Sequence, residues 1–325
     1  MSTTFDPLSA GPGSAERVQP DRVFYAPGVL LDAPDLAAEQ LYHRGRLARS
    51  LAYLHGSGTA SGLRVLFQSA LEPGDRDPAD PVNPDDPADP GRLYPDGREA
   101  RILVHPGLAI DRLGRQIEVS GVACLRLQPW LDEQPAEQIA QATHPQAAAA
   151  DRLISQADSP DAITVSAANS GIVADVFIRF TVCEAGGRTP AFAAGPLDAT
   201  NANVTARLRD SYELTLVLRP EATADLPSEL PRHPWTEATT LTELQTAIFD
   251  TWGETTADWD EQNRPDPRAE HAAGQDTTAV FLARLLITPE DEDTGTPLSV
   301  QIDNYSRSFR YPNSAIARWI ALVTP

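Results

Sequence analysis

Lysine is absent from this chain of 325 residues: all 26 basic residues are arginine, against 46 acidic residues. The absence excludes a Walker-type phosphate loop, a Schiff-base lysine and the ATP-binding lysine of kinases, because each of these sites depends on that side chain. The formal net charge of −20 repels phosphate backbones. The sequence therefore argues against nucleic acid as a partner.

Cysteine and long apolar runs are also scarce. Cys124 and Cys183 lie in β-like apolar runs and predict two reduced, buried thiols, with a disulfide between neighbouring strands as the alternative. No apolar run approaches the roughly 20 residues that a membrane helix needs. The first twenty residues lack the basic start and apolar core of a secretory signal. We therefore expect a cytoplasmic protein without membrane insertion.

Motifs for metal binding and catalysis are missing as well. The histidines are scattered and form no HExxH or His/Cys cluster: His43, His55, His105, His144, His233 and His271. The segment 56–62 is rich in glycine and serine, but it follows a helix and precedes a strand, which predicts a tight connector rather than a phosphate cradle or serine elbow. We predict no catalytic, cofactor-binding or metal-binding residue, and a protein that is not an enzyme.

An acidic segment, 72–98, is rich in proline and aspartate and lacks apolar periodicity. Its carboxylates do not follow the EF-hand pattern, and prolines hold them apart, so solvated charge is favoured over a calcium site. These carboxylates are Asp75, Asp77, Asp80, Asp85, Asp86 and Asp89. We predict an excursion between two strands that is extended or poorly ordered and dispensable for folding.

Apolar periodicity predicts a mainly β protein with a few helices, of the α+β class. The expected body is an antiparallel sandwich or barrel-like structure with a long N-terminal helix and a short C-terminal helix. The predicted strands are 63–67, 101–105, 108–111, 115–127, 163–167, 174–183, 212–219, 278–288 and 298–303. Residues 130–160 predict one or two poorly amphipathic helices or a surface loop.

Three further helices have recognisable starts. The first is predicted at 35–54 with Asp32 or Asp35 as its cap, the second at 240–252 from Thr240 or Thr242, and the last from a cap at Asn313 or Ser314. The first helix places four leucines on one face: Leu36, Leu47, Leu51 and Leu54. Gly45 within it costs about 1 kcal/mol relative to alanine, which is tolerated where another backbone packs closely.

The sequence predicts four consecutive segments along the chain. We expect a flexible arm at 1–20, a β-rich body at 21–219, and a link with proline, a helix and a polar excursion at 220–276. Strands and a C-terminal helix at 277–325 are expected to pack on the same body, with a division into two domains as the alternative.

The segment 103–119, LVHPGLAIDRLGRQIEV, carries the most specific local pattern. It predicts a β-hairpin in which Asp111 accepts hydrogen bonds from the backbone amides ahead of it. Gly114 is expected to adopt the positive φ that closes the turn.

The same segment resembles the hairpin "PG-x-A-hydrophobic-D-x-x-G-R-x-I" of accessory structural proteins from phage tails and phage-tail-like contractile injection systems. Further segments follow in the order that this family shows, over about 25–219 with gaps: 25–31, 54–65, the strand ending in Cys183-Glu184 before Thr189-Pro190, and 207–214. The chain departs from the pattern in the insertion at 72–98 and in the missing Pro-Ser before Arg207.

The resemblance implies a non-enzymatic structural or assembly component, tail- or baseplate-associated, that acts through protein–protein contacts. Its partners are expected to be other tail or baseplate subunits, with copies of the same chain as a further option. The alternatives are a carbohydrate- or surface-binding β module and an uncharacterised hydrolase, which needs two titratable groups in a cleft. The candidate aromatic platforms of a sugar binder are Trp130, Trp235, Trp252, Trp259 and Trp319.

Overall fold

The computed structural model describes residues 22–143 except 29, 84 and 87, then 171–190, 203–220, five residues between 240 and 246, 270–289 except 273, and 298–323. The strands are β1 (Gly58–Gly62), β2 (Val65–Gln68), β3 (Asp75–Asp77), β4 (Arg92–Tyr94), β5 (Arg101–Val104), β6 (Gly107–Ile110), β7 (Gln116–Val119), β8 (Ala123–Arg126), β9 (Ile172–Pro190), β10 (Asn203–Leu218), β11 (Val280–Thr288) and β12 (Ser299–Asp303). The helices are α1 (Ala33–Leu54), α2 (Leu127–Asp132), α3 (Ala136–Ala142) and α4 (Asn313–Val323).

The α+β class predicted from the sequence is confirmed. The strands pair antiparallel throughout the four described sheets, whose orders are β1-β6-β7, β2-β5-β8, β10-β9-β11-β12 and β3-β4. These sheets do not close into a barrel, so the barrel-like alternative is wrong.

The two three-stranded sheets are the halves of one bent meander. The chain passes from one half to the other three times, at 63–64, 105–106 and 120–122. The single strand predicted at 115–127 is therefore two strands, β7 and β8, followed by the start of α2. At the bend the Leu63 amide donates to the Pro106 carbonyl at 3.2 Å. A β-carbon at Gly62 would collide with that carbonyl, and φ there is +63°, so only glycine fits.

The four-stranded sheet is built around β9, which forms a long hairpin with β10 and pairs on its other edge with β11. The strand that was expected to end at Glu184 continues to Pro190. Eight of the nine residues of β11 are buried, because β9 and β12 flank it on both edges and the core covers it. The strands of the segment 277–325 therefore lie in the same sheet as those of the body.

One hydrophobic core joins the two halves of the meander and the four-stranded sheet. Fully buried side chains from each part lie in it, among them Val65, Ile117, Val176, Leu282 and, from α2, Leu127. Because the sheets share this core, the described strands form a single packed body.

Helix α1 begins at Ala33, two residues before the predicted start, with Asp32, one of the two predicted caps, as its N-cap. The Asp35 amide donates to Asp32 Oδ1 and the Asp32 amide to Asp35 Oδ2, both at 3.1 Å, which is a reciprocal capping box. The helix touches the body through Ala48, its buried residue. The β6–β7 turn lies there, and a β-carbon at Gly114 would collide with the Ala48 carbonyl.

The acidic excursion is more ordered than predicted. It contains the hairpin of β3 and β4, and it lies between β2 and β5 as expected. Asp77 is buried and accepts hydrogen bonds from Arg98 Nη1 at 2.6 Å and Gln68 Nε2 at 2.9 Å. The predicted alternative of a poorly ordered segment with solvated charge is wrong, because its carboxylates bind nearby arginines and turn amides.

The structure describes the two remaining predicted helices, at 240–252 and near the C-terminus, only in part. Thr240 and Glu243 exchange the two hydrogen bonds of a capping box, at 3.1 and 3.2 Å. Helix α4 begins at Asn313. The residue before it is Pro312, whose carbonyl accepts from the Ala315 and Ile316 amides, so the predicted cap at Asn313 or Ser314 is wrong. The arm at 1–20, the strand at 163–167 and most of the helix at 240–252 lie outside the described residues.

Candidate interaction surface

Three leucines of α1 form an exposed stripe, here called the leucine face: Leu36, Leu47 and Leu54, with exposed fractions of 53%, 54% and 78%. They are separated by 11 and 7 residues, and at 100° per residue they lie within about 20° of one another around the helix. The sequence predicted these three leucines on one face together with Leu51, which is only partly exposed in the structure. The structure adds that the described body leaves this face open to solvent.

Exposed apolar side chains continue upstream of the helix, at Phe24, Tyr25 and Leu30. A single exposed leucine is ordinary in a folded protein, but several large apolar side chains along one element mark an interaction site. The leucine face and these three residues are the candidate interaction surface.

The hairpin motif positions α1 on the body. Asp111 Oδ1 accepts hydrogen bonds from the amides of Leu113 at 2.9 Å and Arg115 at 2.8 Å, while Oδ2 accepts from Arg115 Nε at 2.6 Å. Gly114 has φ +79°. The predicted roles of Asp111 and Gly114 are confirmed, and together they shape the turn that contacts Ala48.

Arg115 was not predicted, although the motif contains it. Its guanidinium donates to Thr278 Oγ1 at 3.2 Å and lies over the Phe180 ring at 4.8 Å, so it joins the hairpin to β9 and to the turn before β11. Burial raises the pKa of the Asp111 carboxyl, an effect that Arg115 opposes. The polar residues of the motif therefore point inward and serve the scaffold.

A second buried cluster lies in the central sheet. Asp175 on β9 stands opposite Arg284 on β11 in the register, and its oxygens accept from Arg284 Nε and Nη2 at 2.7 Å and from Arg219 Nη1 at 2.6 Å. Burial alone would raise the pKa of Asp175, but the two guanidiniums hold it below its ordinary value. All three side chains are almost completely buried, so no substrate can reach the carboxylate.

A third network fastens the segment 303–310 to the glycine-rich connector. The Asn304 side chain accepts from the Val65 amide at 2.9 Å and donates to the Val65 carbonyl at 3.0 Å, as a neighbouring strand would. Arg307 donates to the Leu63 carbonyl at 2.7 Å, and burial lowers its pKa to about 10. Leu63 itself has φ +57°, a costly conformation that these contacts maintain.

The predicted connector at 56–62 is mostly a strand, because β1 occupies Gly58–Gly62 and pairs with β6, which leaves only 55–57 to join it to α1. A β-carbon at Gly58 would collide with the Ser308 carbonyl, and φ there is +145°. Ser57 is buried, and its carbonyl accepts from Arg310 Nε at 2.5 Å. Gly58 therefore allows the close approach of two backbone segments.

The titratable candidates do not converge on a metal site. In the described part of the chain no three His, Cys, Asp or Glu side chains form a group that can hold a metal ion. His43 lies at the surface beside Glu39, while His271 is buried, stacks on Phe177 and lies 3.1 Å from the Ala279 carbonyl. His144 and His233 lie outside the described residues.

The cysteine prediction is wrong in one respect. Cys124 and Cys183 are both free, so they do not form the alternative disulfide, but both are exposed instead of buried. Each occupies an outward-facing position of its strand, where an apolar run still presents alternate residues to solvent.

The tryptophans give no support to an aromatic platform within the described residues. Trp130 is half-buried, and its indole donates to the Leu216 carbonyl at 3.2 Å. The side chains of Trp235, Trp252, Trp259 and Trp319 lie outside the described part.

Comparison with known proteins leaves the family open. No protein-family model matches the chain, and no curated protein is detectably similar to it. None of the described helices combines the length and the apolar character that crossing a membrane requires.

Proposed function

We propose that this protein is a non-enzymatic structural component of a phage-tail-like contractile injection system, associated with its tail or baseplate and assembled in the cytoplasm. It acts by burying the candidate interaction surface against other subunits of the particle. The observation that carries the proposal is the exposed leucine face of α1. The order of the sequence motifs over about 25–219 supports the choice of particle.

The scaffold beneath the surface supports a binding role. An interface needs a rigid element, because mobile side chains lose entropy when they are ordered on binding. Here the β6–β7 turn holds α1 through the contact of Gly114 with Ala48, and Arg115 ties that turn to Thr278. The most specific motif of the sequence therefore fixes the helix that presents the leucine face.

Deletion of the gene in the producing cell, followed by electron microscopy of the particles, tests the proposal. We expect particles that fail to assemble, contract or attach, and rescue by the wild-type gene. Normal assembly, contraction and attachment without the protein would defeat the structural role.

Point variants make the same experiment specific to the surface. Leu47→Glu should fail to rescue, whereas Leu208→Glu should rescue fully, since Leu208 on β10 is similarly exposed, at 56%, but lies outside the surface. Equal rescue by the two variants would remove the leucine face from the proposal.

A carbohydrate- or surface-binding module is the second candidate, and one observation favours it. Tyr305, Phe309 and Tyr311 form a row with ring centroids 6.4 and 6.2 Å apart, and both tyrosines are exposed. Aromatic faces of this kind stack on sugar rings. Saturable binding of an oligosaccharide that Tyr311→Ala abolishes would place this candidate ahead of the structural one.

A further inference from the structure

Strand β10 is an edge strand of the four-stranded sheet, and its outer side is unpaired within the described ranges. The sheet order is β10-β9-β11-β12, so β9 is the strand that pairs with β10. Outside that ladder, no described residue exchanges a backbone hydrogen bond with residues 207–214. An unpaired edge of this length is a template for a further strand.

The register shows which backbone groups of β10 face outward. The Arg219 amide donates to the Val173 carbonyl at 3.1 Å, which continues the β9–β10 register beyond Leu218. Hydrogen-bonded pairs alternate with non-hydrogen-bonded pairs along an antiparallel ladder. The odd-numbered residues of 207–217 therefore bond to β9, and the even-numbered residues direct their N–H and C=O groups away from it. These outward residues are Leu208, Asp210, Tyr212, Leu214 and Leu216.

A side chain covers one end of this edge. The Trp130 indole donates to the Leu216 carbonyl at 3.2 Å, where a further strand would donate an amide. Arg44 of α1 pairs with the Asp210 side chain at 3.5 Å and leaves the Asp210 backbone groups available. Leu208 is 56% exposed. The part that stays accessible, residues 207–214, is here called the open edge, and it is long enough for a strand of ordinary length.

The hairpin of β9 and β10 lacks a third strand along the open edge. β11 pairs with β9 as far as Ile178, and β9 continues to Pro190 with β10 as its one described strand partner. A two-stranded ribbon is marginally stable at best in water, whereas three strands with an apolar face are stable together. A strand added at 207–213 would supply the third strand opposite 179–185.

Two arginines define the charge that the open edge accepts. Arg207 and Arg209 are exposed, and no ion pair joins either of them to a described residue, whereas Glu213 is paired with Arg179. Both arginines would face an added strand in non-hydrogen-bonded pairs, where opposite side chains lie closest. Opposite charges in such pairs are stabilising and like charges are destabilising. The added strand should therefore have acidic residues opposite Arg207 and Arg209 and none opposite Glu213.

We propose that the open edge binds an extended segment of another protein as an additional antiparallel strand, with acidic side chains opposite Arg207 and Arg209. Backbone pairing supplies the affinity, and the two acids select the partner and its register. The site belongs to the sheet and not to the leucine face, so it goes beyond the proposed function. It stands or fails independently of a role in a particle.

Two synthetic peptides of the same composition test the site on the full chain. In the antiparallel register, Val-Thr-Val-Thr-Val-Glu-Val-Glu places its acids opposite Arg209 and Arg207, whereas Val-Glu-Val-Glu-Val-Thr-Val-Thr places them opposite Glu213 and Ser211. Titration calorimetry should give the first peptide a dissociation constant about 10-fold lower. Because both peptides carry the same charge, the net charge of −20 affects both alike.

Variants separate the side chains from the backbone. Combined Arg207→Glu and Arg209→Glu should abolish the preference for the first peptide, because the acids then face like charges. Leu208→Pro removes an outward N–H without breaking the β9 ladder, and should weaken both peptides about 10-fold or more. Leu208→Glu is the matched control: it keeps that N–H and should change the affinities by less than about 5-fold. Circular dichroism should be the same for all these proteins.

Amide exchange identifies the mode of binding. The first peptide should slow exchange of the Asp210, Tyr212 and Leu214 amides and leave those of Arg209 and Ser211 unchanged, because β9 already protects them. Protection without this alternation, or affinities that Leu208→Pro leaves unchanged, overturns the inference. Failure of the chain to bind either peptide also overturns it, and would show that the arginines only protect the edge from pairing.

Two further results would contradict parts of the proposal. Tighter binding of the second peptide to the wild-type chain overturns the antiparallel register. Dimerisation of the wild-type chain that Leu208→Pro abolishes, measured by sedimentation equilibrium, would make a second copy of the chain the occupant and overturns the assignment to another protein.

Discussion

Strand β11 and helix α1 are both rich in leucine, yet they use it differently. Leu282, Leu285 and Leu286 of β11 are completely buried, whereas Leu36 and Leu47 of α1 are more than half exposed. β11 lies between β9 and β12 in the sheet, while α1 contacts the body mainly at Ala48. A leucine-rich segment therefore predicts a surface that is buried, but it does not predict whether the residues that bury it belong to the same chain.

The largest expected loss of stability comes from the buried cluster beside β11. Asp175→Asn removes the carboxylate charge that the buried guanidiniums of Arg219 and Arg284 both bind, and should lower the free energy of unfolding by about 3–5 kcal/mol. Urea unfolding followed by circular dichroism measures it. Glu213→Gln is the control, because its ion pair with Arg179 is exposed and contributes about 1 kcal/mol or less. Equal losses in the two variants would contradict the role of Asp175.

A smaller loss is expected where the body holds α1. Gly114→Ala combines a φ of +79° with a collision against the Ala48 carbonyl, and should cost about 2 kcal/mol or more. Faster amide exchange along α1 should accompany the loss. Gly121→Ala, whose β-carbon meets no atom within 4 Å, should change stability by less than about 0.5 kcal/mol. Unchanged exchange in α1 would show that the turn does not hold the helix.

The acidic excursion should contribute a pH-dependent amount. Burial alone would raise the pKa of Asp77, but hydrogen bonds from Arg98 and the Ala79 amide lower it below its ordinary value. A lowered folded-state pKa stabilises the fold above the unfolded pKa of about 4, and this contribution is lost as the pH falls through the folded pKa.

Asp77→Asn should therefore cost about 1–2 kcal/mol at neutral pH, and less and less below about pH 4. Unfolding of both proteins across this pH range measures the difference. Asp85→Asn, at an exposed position of the same excursion, should cost nothing measurable at any pH. A constant difference between wild type and Asp77→Asn would contradict the ionised Asp77–Arg98 pair.

The smallest effect is expected on the outward face of the sheets. Cys124→Ser and Cys183→Ser should each change stability by less than about 0.5 kcal/mol, because both thiols are exposed. Both should react with a thiol reagent in the folded chain. Protection of either thiol until unfolding would show that its strand face is covered.

Local patterns account for what the sequence could predict. The capping box of α1 spans four residues and the Asp111 turn spans five, so both are visible in short stretches of sequence. The contacts of Asp175 with Arg219 and Arg284 span 44 and 109 residues, and the contact of Asn304 with Val65 spans 239. Only the register of the folded sheets brings these residues together.

Composition gave a wrong prediction where acidic side chains form ion pairs and hydrogen bonds with residues nearby in the sequence. The aspartates at 72–98 look solvated in sequence, but Asp77 is buried against Arg98, and Asp86 and Asp89 accept hydrogen bonds from nearby amides. For α1 the pattern identified the leucine face, because periodicity depends only on spacing along the helix. Whether a second element covers that face depends on tertiary structure, which spacing does not encode.

The unfolding free energies of Leu282→Ala and Leu47→Ala, measured at a concentration where the chain is monomeric, test this division of the molecule most directly. Leu282 is fully buried, so its truncation should cost about 2–5 kcal/mol, whereas truncation of the exposed Leu47 should cost less than about 0.5 kcal/mol. Comparable losses in the two variants would show that the leucine face is buried within the chain itself, and would contradict its assignment as an interaction surface.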